Sequence, residues 1–209
     1  RGHFSQRLAL SPDGDHLFVS SGERQKMDPA QDPDSDLGKI IRIRLSDDSA
    51  GHWTKGHRNP LGLAFDAEGN LWSSEMGPQG GDELNLIVEG GNYGWPLASN
   101  GSHYDGGEIP DHRAGDGFEA PKLWWTPSVS PGSLMIYSGE LFPYWQGDAF
   151  LGALSGEALI RADLDGTDAT EADLWKMGQR IRDVEQGPDG SIWLLTDAGD
   201  GRLLQLTPP

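Results

Sequence analysis

The chain has 209 residues, 33 acidic against 16 basic side chains for a formal net charge of −17, and no cysteine. That balance argues against nucleic acid and anionic membrane surfaces as partners, and the missing cysteines exclude disulfides, thiolate chemistry and thiolate-bound zinc. A hydrophobic share of only 35%, with 30 glycines, 14 prolines and eight tryptophans, suits an all-β protein with many tight turns and a few large aromatic anchors, and argues against helical bundles and disorder.

The opening residues, Arg1-Gly2-His3-Phe4-Ser5, carry no initiator methionine and read as the middle of a domain, so an N-terminal piece is expected to precede them. Residues 8–10 and 17–21 read as strands joined by Ser11-Pro12-Asp13-Gly14. The pattern returns around Asp66-Ala67-Glu68-Gly69 and around Gly187-Pro188-Asp189-Gly190. An acidic residue before glycine between apolar runs marks a hairpin, because glycine accepts positive φ at low cost. A third type of strand, alternating apolar and polar, recurs at 39–45, 158–164 and 202–206. The glycines of the first two hairpins stand about 55 residues apart, a spacing that fits one four-stranded propeller blade with a long loop better than a sandwich. The expectation is one all-β domain over residues 1–209, a β-propeller of which about four blades are present, with strand edges left open. Residues 98–131 read as an irregular excursion over one face, and 169–175 as the one weak helix candidate. No apolar run is long enough to span a bilayer, so membrane insertion is not expected.

Among six histidines, most read as surface or packing residues. His3 stands apart because it precedes a strand while Glu23 follows the return strand of similar length, which brings both to one end. A carboxylate beside an imidazole fixes its tautomer and raises its basicity, as a general base requires. Asp32-Pro33-Asp34-Ser35-Asp36-Leu37-Gly38 resembles the start of an EF-hand loop, but its glycine is one place late and Ile43 stands where a bidentate glutamate is needed. Arg58 and Asn59 sit just before a strand. Gly77-Pro78-Gln79-Gly80-Gly81-Asp82-Glu83 combines bare backbone with carboxylates, which is either a hard-cation site or a plain glycine turn capped by acids. Arg180 and Arg182 share one face of a strand start. They serve either to match carboxylates of a ligand or to pair with Asp183 or Glu185. There is no Gly-x-Ser-x-Gly elbow, phosphate-binding loop or His-Glu-x-x-His zinc motif.

Six segments taken in order are similar to the soluble pyrroloquinoline quinone (PQQ) dependent sugar dehydrogenases, the glucose/sorbosone dehydrogenase family, and within it to the bacterial aldose sugar dehydrogenases. They are Gly2-His3-Phe4-Ser5-Gln6-Arg7-Leu8, Leu37-Gly38-Lys39-Ile40-Ile41-Arg42-Ile43, Gly56-His57-Arg58-Asn59-Pro60, Gly77 through Asn85, Gly91-Asn92-Tyr93-Gly94-Trp95-Pro96, and Arg180-Ile181-Arg182-Asp183-Val184. The resemblance implies a six-bladed propeller with PQQ on its top face, a periplasmic or secreted location, and a missing first blade or two. By the same likeness His3 is the catalytic base and Glu23 its acidic partner, and Arg58, Asn59, Arg180 and Arg182 contact PQQ. The carbonyls of Gly77 and Pro78 ligate the catalytic calcium, and Glu83 and Tyr93 fall on a second calcium site.

The implied reaction oxidises an aldose to its lactone and hands electrons to a separate acceptor. The arginines neutralise the cofactor's carboxylates, and calcium acts as a Lewis acid on the quinone carbonyl. His3 takes the proton of the anomeric hydroxyl while hydride passes to the quinone, and Arg58 steadies negative charge on the reduced oxygen. Three positions depart from the family pattern. Ser155 stands where a lysine often meets PQQ, Leu61 where the glucose-oxidising branch has glutamine, and Gln6 where glycine is usual. Losing one desolvated ammonium costs roughly 1–3 kcal/mol of binding. Two other readings are a propeller binding module that has lost catalysis, which Ser155 favours and the His3–Glu23 pair opposes, and a calcium-dependent lactonase, which gives the Arg180–Arg182 pair no role.

Overall fold

The computed structural model describes residues 2–208. β1 (Ser5–Leu10) and β2 (His16–Ser21) form a hairpin whose turn is fixed by Ser11, which accepts the Gly14 amide at its carbonyl (2.9 Å) and bonds Asp13 through its hydroxyl. β3 (Lys39–Arg44) and β4 (Ala50–Lys55) extend it into a four-stranded antiparallel sheet. The second sheet begins with β5 (Pro60–Phe65) and β6 (Leu71–Glu75). Their turn is held by Asp66, whose carboxylate accepts from Asn70 and from the Trp72 indole N–H. Next come β7 (Gln79–Gly80), β8 (Asp82–Ile87), β9 (Gly101–Ser102) and β10 (Leu123–Trp125). β8 and β10 complete the second sheet, while β7 and β9 pair separately. The third sheet is β11 (Met135–Ile136), β12 (Ala149–Ala153), β13 (Ala158–Asp165) and β14 (Asp168–Lys176). β15 (Ile181–Gln186), β16 (Ile192–Thr196) and β17 (Leu203–Leu206) make a three-stranded fourth.

The three expected hairpins and the three alternating strands are all present, and the fold is all-β. Two expectations are corrected. Residues 169–175 lie in β14, where alanines and a glutamate favoured a helix locally. The two-residue Gly166-Thr167 loop and continuous pairing with β13 override that propensity. Residues 98–131 are not wholly irregular, because β10 forms the outer edge of the second sheet. Three residues are too few to display an alternation.

Each sheet packs on its neighbour in sequence order. Phe18, Ile40, Leu63 and Ile87 fill the space between the first and second sheets, and Trp72, Leu84, Leu134 and Leu151 that between the second and third. Phe150, Leu159, Ile181 and Leu194 join the third to the fourth. β12 explains how one sheet serves two cores: Phe150 and Leu151 point to opposite faces and both are fully buried. The lead strands converge. β1 lies along β5, β5 meets β11, and β11 meets β15. Arg7 of β1 reaches across to the Gly132 carbonyl (2.8 Å) and to Asp183 of β15. Among the described residues no helix is long and apolar enough to cross a membrane. The segments before β1 and β5 and after β2 and β6 leave the strands at a common end, where the polar residues singled out in the sequence gather.

Candidate active site

His3 Nδ1 is hydrogen-bonded to Glu23 Oε1. Glycine at position 22 makes this approach feasible, since a Cβ there would lie 2.0 Å from the His3 carbonyl oxygen. Glu23 is buried, and its other oxygen accepts the amides of Met27 (2.6 Å) and Lys26. Burial pushes the Glu23 carboxyl up, but the bonds from His3 and from the Met27 and Lys26 amides outweigh it and hold the group below its ordinary value. With Nδ1 engaged, Nε2 is the ring nitrogen left for proton transfer. His3 and Glu23 line a cavity of about 180 Å³ together with Arg58 and Pro78. Gln25, Met27, Trp95, His103 and Tyr104 complete its lining.

Arg58 lines this cavity and is itself buried. Its Nη1 donates to the carbonyls of Met76 (3.0 Å) and Gly77 (2.6 Å), and its Nη2 to the Tyr104 hydroxyl (3.2 Å). The guanidinium lies 5.3 Å from the Trp95 ring centre, and its Nε has no hydrogen-bond partner. Asn59 turns away: its Oδ1 accepts from the Ser5 hydroxyl (3.1 Å), and it does not line the cavity. Glu75 was not singled out in the sequence, yet it fixes both residues. Its Oε1 accepts the amides of Arg58 and Asn59, and its Oε2 accepts from His57 Nδ1 at 2.9 Å. His57 in turn bonds the Thr54 hydroxyl through Nε2 and stacks on Tyr93. A glutamate closing the run Leu71-Trp72-Ser73-Ser74-Glu75 reads as a solvent-facing strand end, so no sequence signal marks it.

Asp82 plays the matching part in the glycine turn. Its buried carboxylate accepts the amides of Gly77 (2.8 Å), Val129 (2.7 Å) and Ser130 (2.6 Å), and burial still raises its pKa. Gly77 must be glycine, because a Cβ would sit 2.2 Å from the Gly81 carbonyl oxygen. Glu83 and Tyr93 border a small cleft shared with Glu75, Gly77 and Pro78. The Tyr93 hydroxyl is occupied by the Leu86 carbonyl (2.6 Å) and the Val88 amide (2.9 Å). Burial, then the charge of Glu75, pushes the Glu83 carboxyl up to about 8 against the hydrogen bond from Asn85. The Asn85 carbonyl oxygen is buried without a partner. The cleft offers carboxylate and carbonyl oxygens of the kind a hard divalent cation takes, but the Arg58 guanidinium also lines it and His112 Nε2 stands 3.9 Å from Glu83. The Gly77 carbonyl already accepts from Arg58, and among the described residues no three His, Asp or Glu side chains form a metal cluster. A cation at Gly77 and Pro78 therefore depends on backbone oxygens.

Arg180 and Arg182 converge on Asp197, at 2.9 Å from Arg180 Nε and 2.8 Å from Arg182 Nη2. The bond from Arg180, with that from Arg182, holds the Asp197 carboxyl below its ordinary value despite desolvation. Asp183 and Glu185, weighed from the sequence as partners, are not: the register of β15 shifts between Ile181 and Asp183, so the strict alternation expected across this stretch is broken. Asp183 pairs with Arg7 instead. Two guanidiniums on one carboxylate leave a net positive charge, although neither arginine lines the His3 cavity.

Residues 1–205 match the family model described as Glucose / Sorbosone dehydrogenase. The chain belongs to that family. It is 39% identical to aldose sugar dehydrogenase YliI of Escherichia coli (strain K12), over 99% of this chain and 60% of the relative. It is 29% identical to quinoprotein glucose dehydrogenase B of Acinetobacter calcoaceticus, over 94% of this chain and 59% of the relative. The crystal structure of the soluble aldose sugar dehydrogenase from Escherichia coli in the apo-form superposes with a TM-score of 0.89 at 37% identity, over 100% of this chain and 65% of that one. The PQQ-bound form of aldose sugar dehydrogenase from Streptomyces coelicolor gives 0.79 at 31% identity, over 99% and 62%. The chain thus spans about three fifths of these relatives.

The departures from the family pattern have visible settings. The Ser155 hydroxyl bonds the Ser128 carbonyl (3.1 Å) and the Ser130 hydroxyl (2.8 Å), a neutral arrangement with no ammonium. Gln6 holds φ +69°, in the left-handed region that glycine favours, at an irregular point in the β1–β2 register. Leu61 is part of β5. Of the lining aromatics Trp95, His103 and Tyr104, the first belongs to the Gly91–Pro96 motif and the other two to residues 98–131, a stretch in which the sequence marks no single residue.

Proposed function

We propose that this chain is the larger part of a quinoprotein aldose sugar dehydrogenase that oxidises aldoses to lactones with PQQ and calcium, and passes electrons to a separate acceptor. The observation that carries the reading is a histidine with Nδ1 tied to a buried carboxylate and Nε2 free, in a cavity that a buried arginine also lines. His3 Nε2 accepts the proton of the anomeric hydroxyl. Glu23 holds the ring in the correct tautomer and stabilises the imidazolium that results. Arg58 offers a desolvated cation where negative charge develops.

The residues fit a polycarboxylate cofactor: the Arg58 Nε is an unpaired buried donor, and Arg180 and Arg182 carry charge beyond what Asp197 neutralises. On this reading Arg58, Arg180 and Arg182 hold PQQ, which when bound supplies the two-electron acceptor, while Asn59, engaged by Ser5, supports the segment that carries Arg58. The carbonyls of Gly77 and Pro78 hold one calcium, and Glu83 with Tyr93 lies at a second. Calcium when bound supplies Lewis acidity. The four stacked sheets are then blades of a six-bladed propeller forming one domain. Exposed Leu8, Leu10, Leu195 and Leu203 are side chains that further blades would cover. A periplasmic or secreted location belongs to the same proposal.

The test is titration of the purified full-length protein with PQQ, with and without calcium, followed by an aldose and a dye acceptor. Calcium-dependent binding with dye reduction is expected, and His3→Ala should abolish turnover while PQQ affinity stays within about twofold. Full turnover in His3→Ala would remove His3 as the base. Failure of the folded full-length protein to bind PQQ would overturn the cofactor assignment.

A further inference from the structure

Tyr104 is 74% exposed, so burial does not account for an aromatic side chain there. It stands at the tip of a tight turn in which His103 accepts the Gly106 amide at its carbonyl and donates its own amide to Gly107. The stem of that turn is β9, paired residue for residue with β7: Gln79 opposite Ser102 and Gly80 opposite Gly101. The pairing is built closely, since a Cβ on Gly101 would lie 2.3 Å from the Gly80 carbonyl oxygen. The tip is therefore fastened to the residues that directly follow Gly77 and Pro78. Its ring is held over the cavity by Arg58, which donates to the Tyr104 hydroxyl at 3.2 Å and lies 5.8 Å from the ring centre.

A ring held at the mouth of a cavity that contains a base recognises a ligand with one apolar face and one polar rim. A cyclic sugar is such a ligand: its C–H face stacks on an aromatic ring while its hydroxyls remain free for polar partners. Gln25, with its carboxamide, lines the same cavity. We propose that Tyr104 is a specificity-determining residue, the platform on which an aldopyranose ring stacks while its anomeric hydroxyl faces His3. This rests on the sugar dehydrogenase reading and adds the face of the sugar that is recognised and the residue that recognises it. The ring does the recognising, and its contact with the Arg58 guanidinium does not depend on the hydroxyl.

Two measurements on the full-length wild type, Tyr104→Phe and Tyr104→Ala test it. The first is calorimetric titration with an aldohexose without PQQ. The second is steady-state kinetics of the PQQ- and calcium-loaded proteins, with PQQ affinity measured in parallel. In Tyr104→Ala the sugar Kd and KM are expected to rise about tenfold, with kcat and PQQ affinity within twofold. Tyr104→Phe is expected to stay within threefold of the wild type in all four. An unchanged sugar Kd in Tyr104→Ala, no sugar binding by the wild type, or an equal loss in Tyr104→Phe would each overturn the proposal. Absence of PQQ binding or turnover in the wild type would strike the dehydrogenase reading instead, and the sugar titration would still decide the role of Tyr104.

Discussion

Lys39 is fully buried, and its ammonium donates to the carbonyls of Pro29 (2.7 Å), Ala30 (3.2 Å) and Leu37 (2.8 Å). It thereby closes the loop that runs from Glu23 through Gln25 and Met27, one side of the candidate site. Burial lowers its pKa to about 8 from the ordinary 10.5. Between those values the unfolded chain holds the proton that the folded one has released, so this group makes stability rise with pH there. Below about 8 both states are protonated and the slope vanishes. Lys39→Met should flatten that rise and leave three carbonyls unpaired, with about 1–3 kcal/mol less stability at pH 7. Urea unfolding of both proteins at pH 7 and pH 9.5 measures both effects. Glu23 acts with the same sign in an acidic window: its folded pKa lies below the ordinary 4.5, so its contribution is fully present above that value and is lost as pH falls through the folded pKa. His3 and Glu23 could be matched in the sequence because strands of similar length return to one end. Lys39 and Glu75 could not, because a charged residue in or at the end of a strand reads as solvent-facing unless its buried partners are known.

At the level of elements, the site is assembled by two carboxylates that bind backbone. Glu75 at the end of β6 ties the segment entering β5, and Asp82 at the start of β8 ties the glycine turn to residues 129 and 130. Glu75→Ala would leave the Arg58 and Asn59 amides and His57 Nδ1 without acceptors. It should cost about 3–5 kcal/mol, the range for breaking a buried charged network. Glu75→Gln, which keeps one acceptor oxygen, should fall in between. Equal unfolding midpoints for the three proteins would show that Glu75 organises nothing. Hairpin turns were legible because their chemistry is local. β10 and β14 were not, since a three-residue strand has no period and β14 carries helix-favouring residues. Both are strands because a neighbouring strand offers pairing.

For this chain as a whole, the net charge of −17 bears, on the proposed dehydrogenase reading, on how electrons would reach an acceptor. An acidic surface attracts cationic acceptors, and the attraction is screened as the Debye length falls from ~30 Å at 0.01 M to ~8 Å at 0.15 M salt. With a cationic acceptor the second-order rate of dye reduction should therefore fall over that range, and with an anionic one it should rise. Stopped-flow traces at matched pH distinguish the two, and salt-independent rates would show that the acceptor docks on a neutral patch. Each sheet depends on the next for burial, as Phe150 and Leu151 show by filling two different cores from adjacent positions in one strand.

The sequence by itself determined the strand-and-turn grammar, the acidic surface, the family and the pairing of His3 with Glu23, because each is written in local pattern or in contiguous motifs. The tertiary structure alone decided that Asp197 and not Asp183 or Glu185 receives Arg180 and Arg182. It also decided that Asn59 faces away from the cavity, that Glu75 and Asp82 hold the backbone of the site, and that Tyr104 overhangs it. Those outcomes turn on which buried groups lack water and must find partners across tens of residues, a constraint that exists only once the sheets have packed.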